Sequence, residues 1–371
     1  MTTQLADRPG ALDRLDWDHL TFYVGNAKQA AHYYATAFGF RIVAYAGPET
    51  GMPGRASYVL EQNALRFVLT SALGANDPVA EHVRAHGDGI RDVALRVADA
   101  RAAFDLAVGA GARAVAEPRD LADAHGRVVV ATIATYGDTV HSFVQRDGYT
   151  GAFLPGYVAV THSPEARNAV GLTAIDHCVG NVGWNEMDGW GDFYAKTFGF
   201  SQLVSFDDGD ISTEYTALRS KVMSDAERRV KFPINEPAEG LRKSQIEEYL
   251  DFYGGPGVQH VAIATDDIIA TVRALRANGV EFLETPGSYY DALESRVGTI
   301  DEATAVLREL SILVDRDDLG YMLQIFTKPL QDRPTLFFEI IQRRGSLSFG
   351  KGNFKALFVS IEEEQAKRGN L

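Results

Sequence analysis

Cysteine is almost absent: Cys178 is the single thiol in 371 residues. One thiol excludes an internal disulfide and any thiolate metal cluster, so hydrophobic cores must hold the fold together. That scarcity suits a reducing compartment. Long apolar runs are missing too. No stretch reaches the roughly 18 uninterrupted apolar residues that a membrane-spanning helix needs, and the opening residues lack the charged-then-apolar pattern of a secretion signal. A soluble, cytoplasmic protein with no membrane partner is the expectation. Clusters of Lys and Arg are equally scarce, and the formal net charge of −14 repels phosphate backbones, so nucleic acid is excluded as a partner.

What is present begins with length. At 371 residues and 46% hydrophobic content, the chain suffices for two cores rather than one. The two halves also repeat each other. Asp18-His19-Leu20, followed by Tyr33-Tyr34-Ala35-Thr36-Ala37-Phe38-Gly39-Phe40, returns as Asp176-His177-Cys178 and then Phe193-Tyr194-Ala195-Lys196-Thr197-Phe198-Gly199-Phe200. Each copy reads as a short apolar strand, a helix with apolar positions at helical spacing, a Gly that stops it, and a second strand. A further pair matches Gly89 to Ala94 with Gly257 to Ala262, each leading into a helix, Asp99 to Val108 and Ile268 to Ala277. Four strand–helix–strand modules predict an α+β chain of two domains, each an open barrel of two βαβββ-type modules. The expected division is 1–150, a Pro- and Gly-bearing linker at 151–172, and 173–371.

Through those repeated residues the chain resembles the vicinal-oxygen-chelate superfamily, whose paired modules curl their sheets around a metal. Isomerases, ring-cleaving dioxygenases, drug-binding resistance proteins and keto-acid dioxygenases share that scaffold, so the site must decide.

Only His177 and His260, of nine histidines, lie in the second half, each in the apolar strand that opens its module. A lone histidine in such a strand is more often a hydrogen-bonded core residue than a ligand. Two at positions matched by internal symmetry point to a metal. The third member is Glu339, which interrupts the apolar run Thr335 to Ile341. A carboxylate survives in such a strand only with a partner, because burying it alone costs several kcal/mol or shifts its protonation. Two imidazoles and one carboxylate form the facial triad of non-haem Fe(II) oxygenases, which leaves positions open for a chelating substrate and oxygen; Mn, Co or Zn suit the same donors. In the first half the equivalent positions hold His19, Asp92 and Ser142. With one strong ligand remaining there, the N-terminal half reads as structural, and one metal per chain is expected.

The second half further resembles the catalytic domain of the 4-hydroxyphenylpyruvate dioxygenase family. The strings that carry the likeness are Ile175-Asp176-His177, Phe232 to Pro237, Lys243 to Ile246, Gly254 to His260, Leu323 to Phe326, Phe337-Phe338-Glu339 and Phe349 to Phe354. The resemblance implies His177, His260 and Glu339 as Fe(II) ligands and a substrate pocket of Ser220, Asn235, Gln245, Gln259, Gln324, Phe326, Phe349 and Phe354. It implies a chelated keto acid, 4-hydroxyphenylpyruvate, and molecular oxygen as reactants, with homogentisate and CO2 as products of tyrosine and phenylalanine catabolism, and a homo-oligomer, dimer or tetramer. Neutral amides and a hydroxyl suit this chemistry, since they can orient a phenol without competing for the metal. Gln324 and Phe326, two apart, share one strand face. Gln259, next to His260, should face the other way unless its strand is irregular. Phe354, Leu357, Phe358 and Ile361 fall at helical spacing after Asn353, an expected N-cap, so a C-terminal amphipathic helix is predicted, most of its stripe in the core and Phe354 facing the pocket as part of a lid.

Hydroxymandelate synthases share the ligands and substrate, but lack the Pro233-Ile234-Asn235 type of string and carry an aliphatic residue at the position of Phe354. A binding protein would need no triad. Ring-cleaving enzymes add His and Tyr acid–base groups near the metal, and this half has no third histidine.

Overall fold

The computed structural model describes residues 10, 12, 15–161, 170–207, 213 and 215–370. The remaining parts of the expected first domain (1–9, 11, 13, 14), of the linker (162–169) and of the second domain (208–212, 214, 371) lie outside the described residues.

The first module runs β1 (Asp16–Tyr23), α1 (Ala27–Phe38), β2 (Arg41–Ala46), β3 (Arg55–Gln62) and β4 (Leu65–Ala72). After α2 (Pro78–His86) the second runs β5 (Gly89–Arg96), α3 (Ala100–Gly109), β6 (Ala114–Asp123), β7 (Gly126–Ala134) and β8 (Val140–Gln145). A short strand within the linker stretch, β9 (Val158–Ala159), pairs with β2. The third module is β10 (Leu172–Asn181), α4 (Met187–Phe198), β11 (Ser201–Phe206), β12 (Ala217–Ser224) and β13 (Lys231–Ala238). Helix α5 (Gln245–Tyr253) leads to the fourth: β14 (Gly257–Thr265), α6 (Ile268–Ala277), three short helices α7 (Gly287–Asp291), α8 (Leu293–Val297) and α9 (Thr304–Leu310), then β15 (Leu313–Asp317), β16 (Gly320–Phe326) and β17 (Phe337–Arg344). Helix α10 (Phe354–Lys367) closes the chain.

Local sequence explains the repeat. Helices α1 and α4 stop at Gly39 and Gly199, whose φ values of 72° and 67° lie in the left-handed region that glycine enters without a Cβ penalty. Asp99 and Asp267 cap α3 and α6 by accepting from first-turn amides. Each half forms one curled sheet, ordered β6-β7-β8-β5-β1-β4-β3-β2-β9 and β11-β12-β13-β10-β14-β17-β16-β15. In both, two antiparallel strands stand at the centre (β1 and β5, β10 and β14), each with a parallel neighbour (β4 and β8, β13 and β17). The interior of each curl is therefore lined by the opening and closing strands of two modules, which is where His177, His260 and Glu339 lie.

The two sheets share one contiguous core. Phe338 of β17 reaches into the first module, with ring centroids 6.0, 5.2 and 5.8 Å from Tyr34, Phe38 and Phe67. His141 of β8 does the reciprocal thing, lying 5.7, 5.6 and 5.1 Å from Tyr194, Phe198 and Phe232. Each buried aromatic contributes about 1.5–3 kcal/mol of burial energy, and favourable ring geometry adds to it. Among the described residues no helix is long and apolar enough to cross a membrane.

One local expectation is corrected. Asn353 precedes α10 but makes no side-chain cap, because its backbone is already helical after a single 3-10 turn. Its Oδ1 instead accepts from the Tyr289 hydroxyl at 2.7 Å.

Candidate active site

Three strands bring the candidate ligands together. His177 (β10), His260 (β14) and Glu339 (β17) belong to neighbouring strands of the second sheet, and one ligand atom from each lies within 4.8 Å of the other two. Both Nε2 atoms face the same carboxylate oxygen, Glu339 Oε2, at 3.3 Å from His177 and 3.6 Å from His260. Each opposite ring nitrogen is already committed. His177 Nδ1 is 2.7 Å from Asp176 Oδ1, and His260 Nδ1 is 2.8 Å from Gln259 Oε1. With Nδ1–H donating to those oxygens, both Nε2 lone pairs are left for an electrophile, the tautomer that a metal requires.

Asp176 is itself clamped by the Arg343 guanidinium through two contacts of 2.8 and 2.9 Å, with Lys231 at 3.3 Å. Burial would raise this carboxyl, but Arg343 and His177 hold it well below the usual carboxylate range. Burial also opposes the charge on Glu339, and the two imidazoles outweigh it, leaving the carboxyl near about 2. Burial would lower both imidazoles as well. At His177 the Glu339 and Asp176 charges override it and the net shift is upward; at His260 burial wins and the shift is downward. A buried carboxylate that stays ionised between two imidazoles is a donor set for a divalent cation.

A cavity opens in front of these residues, enclosing about 610 Å³ when its open mouth is counted. Its walls include every residue that the sequence put in the pocket: Ser220, Asn235, Gln245, Gln259, Gln324, Phe326, Phe349 and Phe354. Ser220 and Asn235 are cross-strand partners on β12 and β13, which places their side chains on one sheet face. Gln245 opens α5, whose start is fixed by a capping box between Ser244 and Glu247. Gln324 presses on the loop before α10, where a Cβ at Gly350 would stand 2.7 Å from its amide; Gly350 also has φ 78°.

Gln259 reaches the cavity because β14 slips there. Val179 pairs with His260 while Gly180 pairs with Val258, so two residues of β14 oppose one of β10 across Gln259. The bulge turns Gln259 to the same side as His260, and its amide oxygen then holds the imidazole. That leaves only its NH2 to address a ligand.

The sequence reading missed part of the wall. Phe337 stacks on His260 with centroids 4.8 Å apart and planes at 19°, and it could have been found as the residue two before Glu339 on one strand face. Leu357 and Phe358 line the cavity beside Phe354, so more of the α10 stripe faces the pocket than expected. Phe206 and Leu218 come from strands with no local signal of their own.

The chain matches the family described as the Glyoxalase/Bleomycin resistance protein/Dioxygenase superfamily over residues 17–144 and 174–308, one match in each half. A Mn(II)-bound glyoxalase from Novosphingobium aromaticivorans, 12% identical with a TM-score of 0.50 over 88% of this chain and 81% of its own, shares the fold alone. Fold and family match define a vicinal-oxygen-chelate protein with a candidate His-His-Glu metal site. At the level of individual proteins, the 4-hydroxyphenylpyruvate dioxygenase of Yarrowia lipolytica is 50% identical over 96% of this chain and 93% of its own length. That of Dictyostelium discoideum is 49% identical over 96% and 99%. A solved triple mutant of 4-hydroxymandelate synthase from Streptomyces coelicolor is 35% identical, with a TM-score of 0.84 over 94% of this chain and 98% of its own. The chain belongs to the 4-hydroxyphenylpyruvate dioxygenase family of that superfamily.

Proposed function

We propose that this protein converts 4-hydroxyphenylpyruvate and O2 to homogentisate and CO2 at a single Fe(II) held by His177, His260 and Glu339 in the second domain (173–371). The observation that carries this reading is the convergence of two Nε2 atoms on one buried carboxylate oxygen in an amide-bearing cavity. The donor set fits Fe(II), since two imidazoles and one carboxylate leave room for a bidentate keto acid and oxygen. When bound, the iron supplies oxygen activation coupled to loss of the keto-acid carboxyl group.

The chain's own residues do the rest. Asp176 and Gln259 orient the imidazoles through Nδ1, so that both ligands are set before any ion arrives. Phe337 and Phe349 pack edge or face against those rings and exclude water from the donor atoms. Ser220, Asn235, Gln245 and Gln324 supply neutral hydrogen-bonding groups for the phenol end, and Phe326 and Phe354 contribute apolar wall that holds the ring. Helix α10, seated over the cavity by Phe354, Leu357 and Phe358, acts as its lid. The N-terminal domain (1–150), joined through residues 151–172, is structural. Subunits associate as a homo-oligomer, and the buried, unpaired Cys178 suits a cytoplasmic setting.

Anaerobic loading with Fe(II), addition of 4-hydroxyphenylpyruvate and oxygen, and product identification by mass spectrometry test the proposal. Homogentisate is expected. Hydroxymandelate would transfer the chain to the synthase reaction, and binding without oxygen uptake would remove the catalytic reading.

A further inference from the structure

A second cluster of metal-ligating side chains lies in the first half, away from His177, His260 and Glu339. His82 and His86 sit at i and i+4 on α2, which puts both rings on one helix face, with centroids 4.6 Å apart. Asp138, from the turn between β7 and β8, meets His86 Nε2 at 2.9 Å. One ligand atom from each of the three lies within 4.8 Å of the other two.

Two features go beyond proximity. His82 is 7% exposed, yet its Nε2 is buried without a hydrogen-bond partner. Leaving such a nitrogen empty costs about 1–3 kcal/mol unless something occupies it. His86 has the opposite problem, an excess of acceptors. Its Nδ1 is 2.6 Å from the Tyr253 carbonyl and its Nε2 faces a carboxylate, so with one proton on Nδ1 the Nε2 lone pair points at an oxygen. A divalent cation between the three groups resolves both defects at once. The Tyr253 carbonyl then plays the orienting part that Asp176 plays for His177.

We propose that His82, His86 and Asp138 bind a Zn(II) ion that clips α2 and the β7–β8 turn onto the second half of the chain. Two imidazoles and one carboxylate, with water in the fourth position, match a tetrahedral zinc centre. The Asp138 side chain is 64% exposed and opens a path from solvent. The clip acts across the halves because His86 stacks on Tyr253 of α5, centroids 4.4 Å apart and planes at 22°, as well as bonding its carbonyl. Arg91 places an opposing positive charge nearby, so an ion held here needs strong imidazole affinity to bind against it. Nothing here depends on the proposed reaction.

The test uses the full chain, stripped by chelator and retitrated with Zn(II) or Co(II), with metal counted by mass spectrometry and Co(II) geometry read from its visible spectrum. Glu339→Ala, which weakens the first site, should still bind one ion per chain in a tetrahedral spectrum. Adding Asp138→Ala, an exposed change that should not disturb folding, or His82→Gln should abolish that ion. Zn(II) should raise the melting temperature of Glu339→Ala in a concentration-dependent way and leave the double variants unmoved. If Glu339→Ala takes up no ion, or if Asp138→Ala does not lower the count, the proposal is wrong.

Discussion

The two halves of this protein carry the same supporting constellation around different centres. In the second, Arg343 grips Asp176, Asp176 accepts from His177, and Phe349 packs on both, 5.3 Å from His177 and 5.6 Å from the guanidinium. In the first, Arg146 grips Asp18 through two 2.8 Å contacts, Asp18 pairs with His19 at 2.6 Å, and Phe153 lies 5.0 Å from His19 and 4.9 Å from the guanidinium. Asp18, like Asp176, is held well below the usual carboxylate range against the cost of its burial. Among the candidate ligand positions the difference lies at two. Where the second half has His260 and Glu339, the first has Asp92 and Ser142, which satisfy each other at 2.5 Å. Burial pushes the Asp92 carboxyl up, and its two oxygens already accept from Ser142 N and Oγ. An orienting network is therefore no sign of a metal site by itself; it also stands as a buried joint in a half with Asp92 and Ser142 at the matched positions.

That comparison can be broken or sharpened experimentally. The largest effect is expected at the third ligand: Glu339→Gln should lower kcat by more than the roughly 10–100-fold typical of outer residues, whereas Ser142→Ala, at the matched position, should leave it within about twofold. Steady-state oxygen uptake decides, and a comparable loss in both variants would overturn the assignment of chemistry to one half. Next come the two clamps. Removing Arg343 or Arg146 takes the main cation from a buried carboxylate, leaving only Lys231 or Arg96 at 3.3 Å, and should cost up to about 3–5 kcal/mol of stability in either half. Only Arg343→Ala should also weaken iron retention, by about 10–100-fold, as measured by chelator competition. Equal iron loss in both would mean that the halves are functionally coupled.

The reciprocal aromatic plugs give a third comparison. Phe338→Ala should cost about 3–5 kcal/mol in denaturant unfolding, through the cavity left among Tyr34, Phe38 and Phe67. A loss under 1 kcal/mol would show that the two halves do not rely on this shared core. The smallest effect is conditional on pH. His141 occupies the equivalent plug position, and burial lowers its pKa from 6.5 to about 4. The folded ring is neutral while the unfolded one takes a proton below 6.5. Its contribution is therefore complete above that pH and lost as pH falls toward about 4, a change on the order of 3 kcal/mol at most. His141→Gln, with an amide in place of the imidazole, should flatten that part of the stability profile; an unchanged slope would assign the acid sensitivity to other groups.

The amino-acid sequence alone determined the fourfold repeat, because stop glycines, capping aspartates and strand-opening histidines are local signals that recur at matched spacing. It also singled out the three candidate donors as a set, since an ionisable residue inside an apolar strand demands a partner wherever that strand is placed. Tertiary structure decided what local signals cannot carry. The bulge at Gln259 exists only because β14 must pair with β10, and it alone turns that side chain to the cavity. Phe337, Leu357 and Phe358 join the wall through the curl of the sheet and the seat of α10 rather than through any motif. The cap expected of Asn353 was withdrawn by the turn before it. Above all, the pairing of His82 and His86 with Asp138 spans more than 50 positions of chain, and only folding brings its donors within reach of one ion.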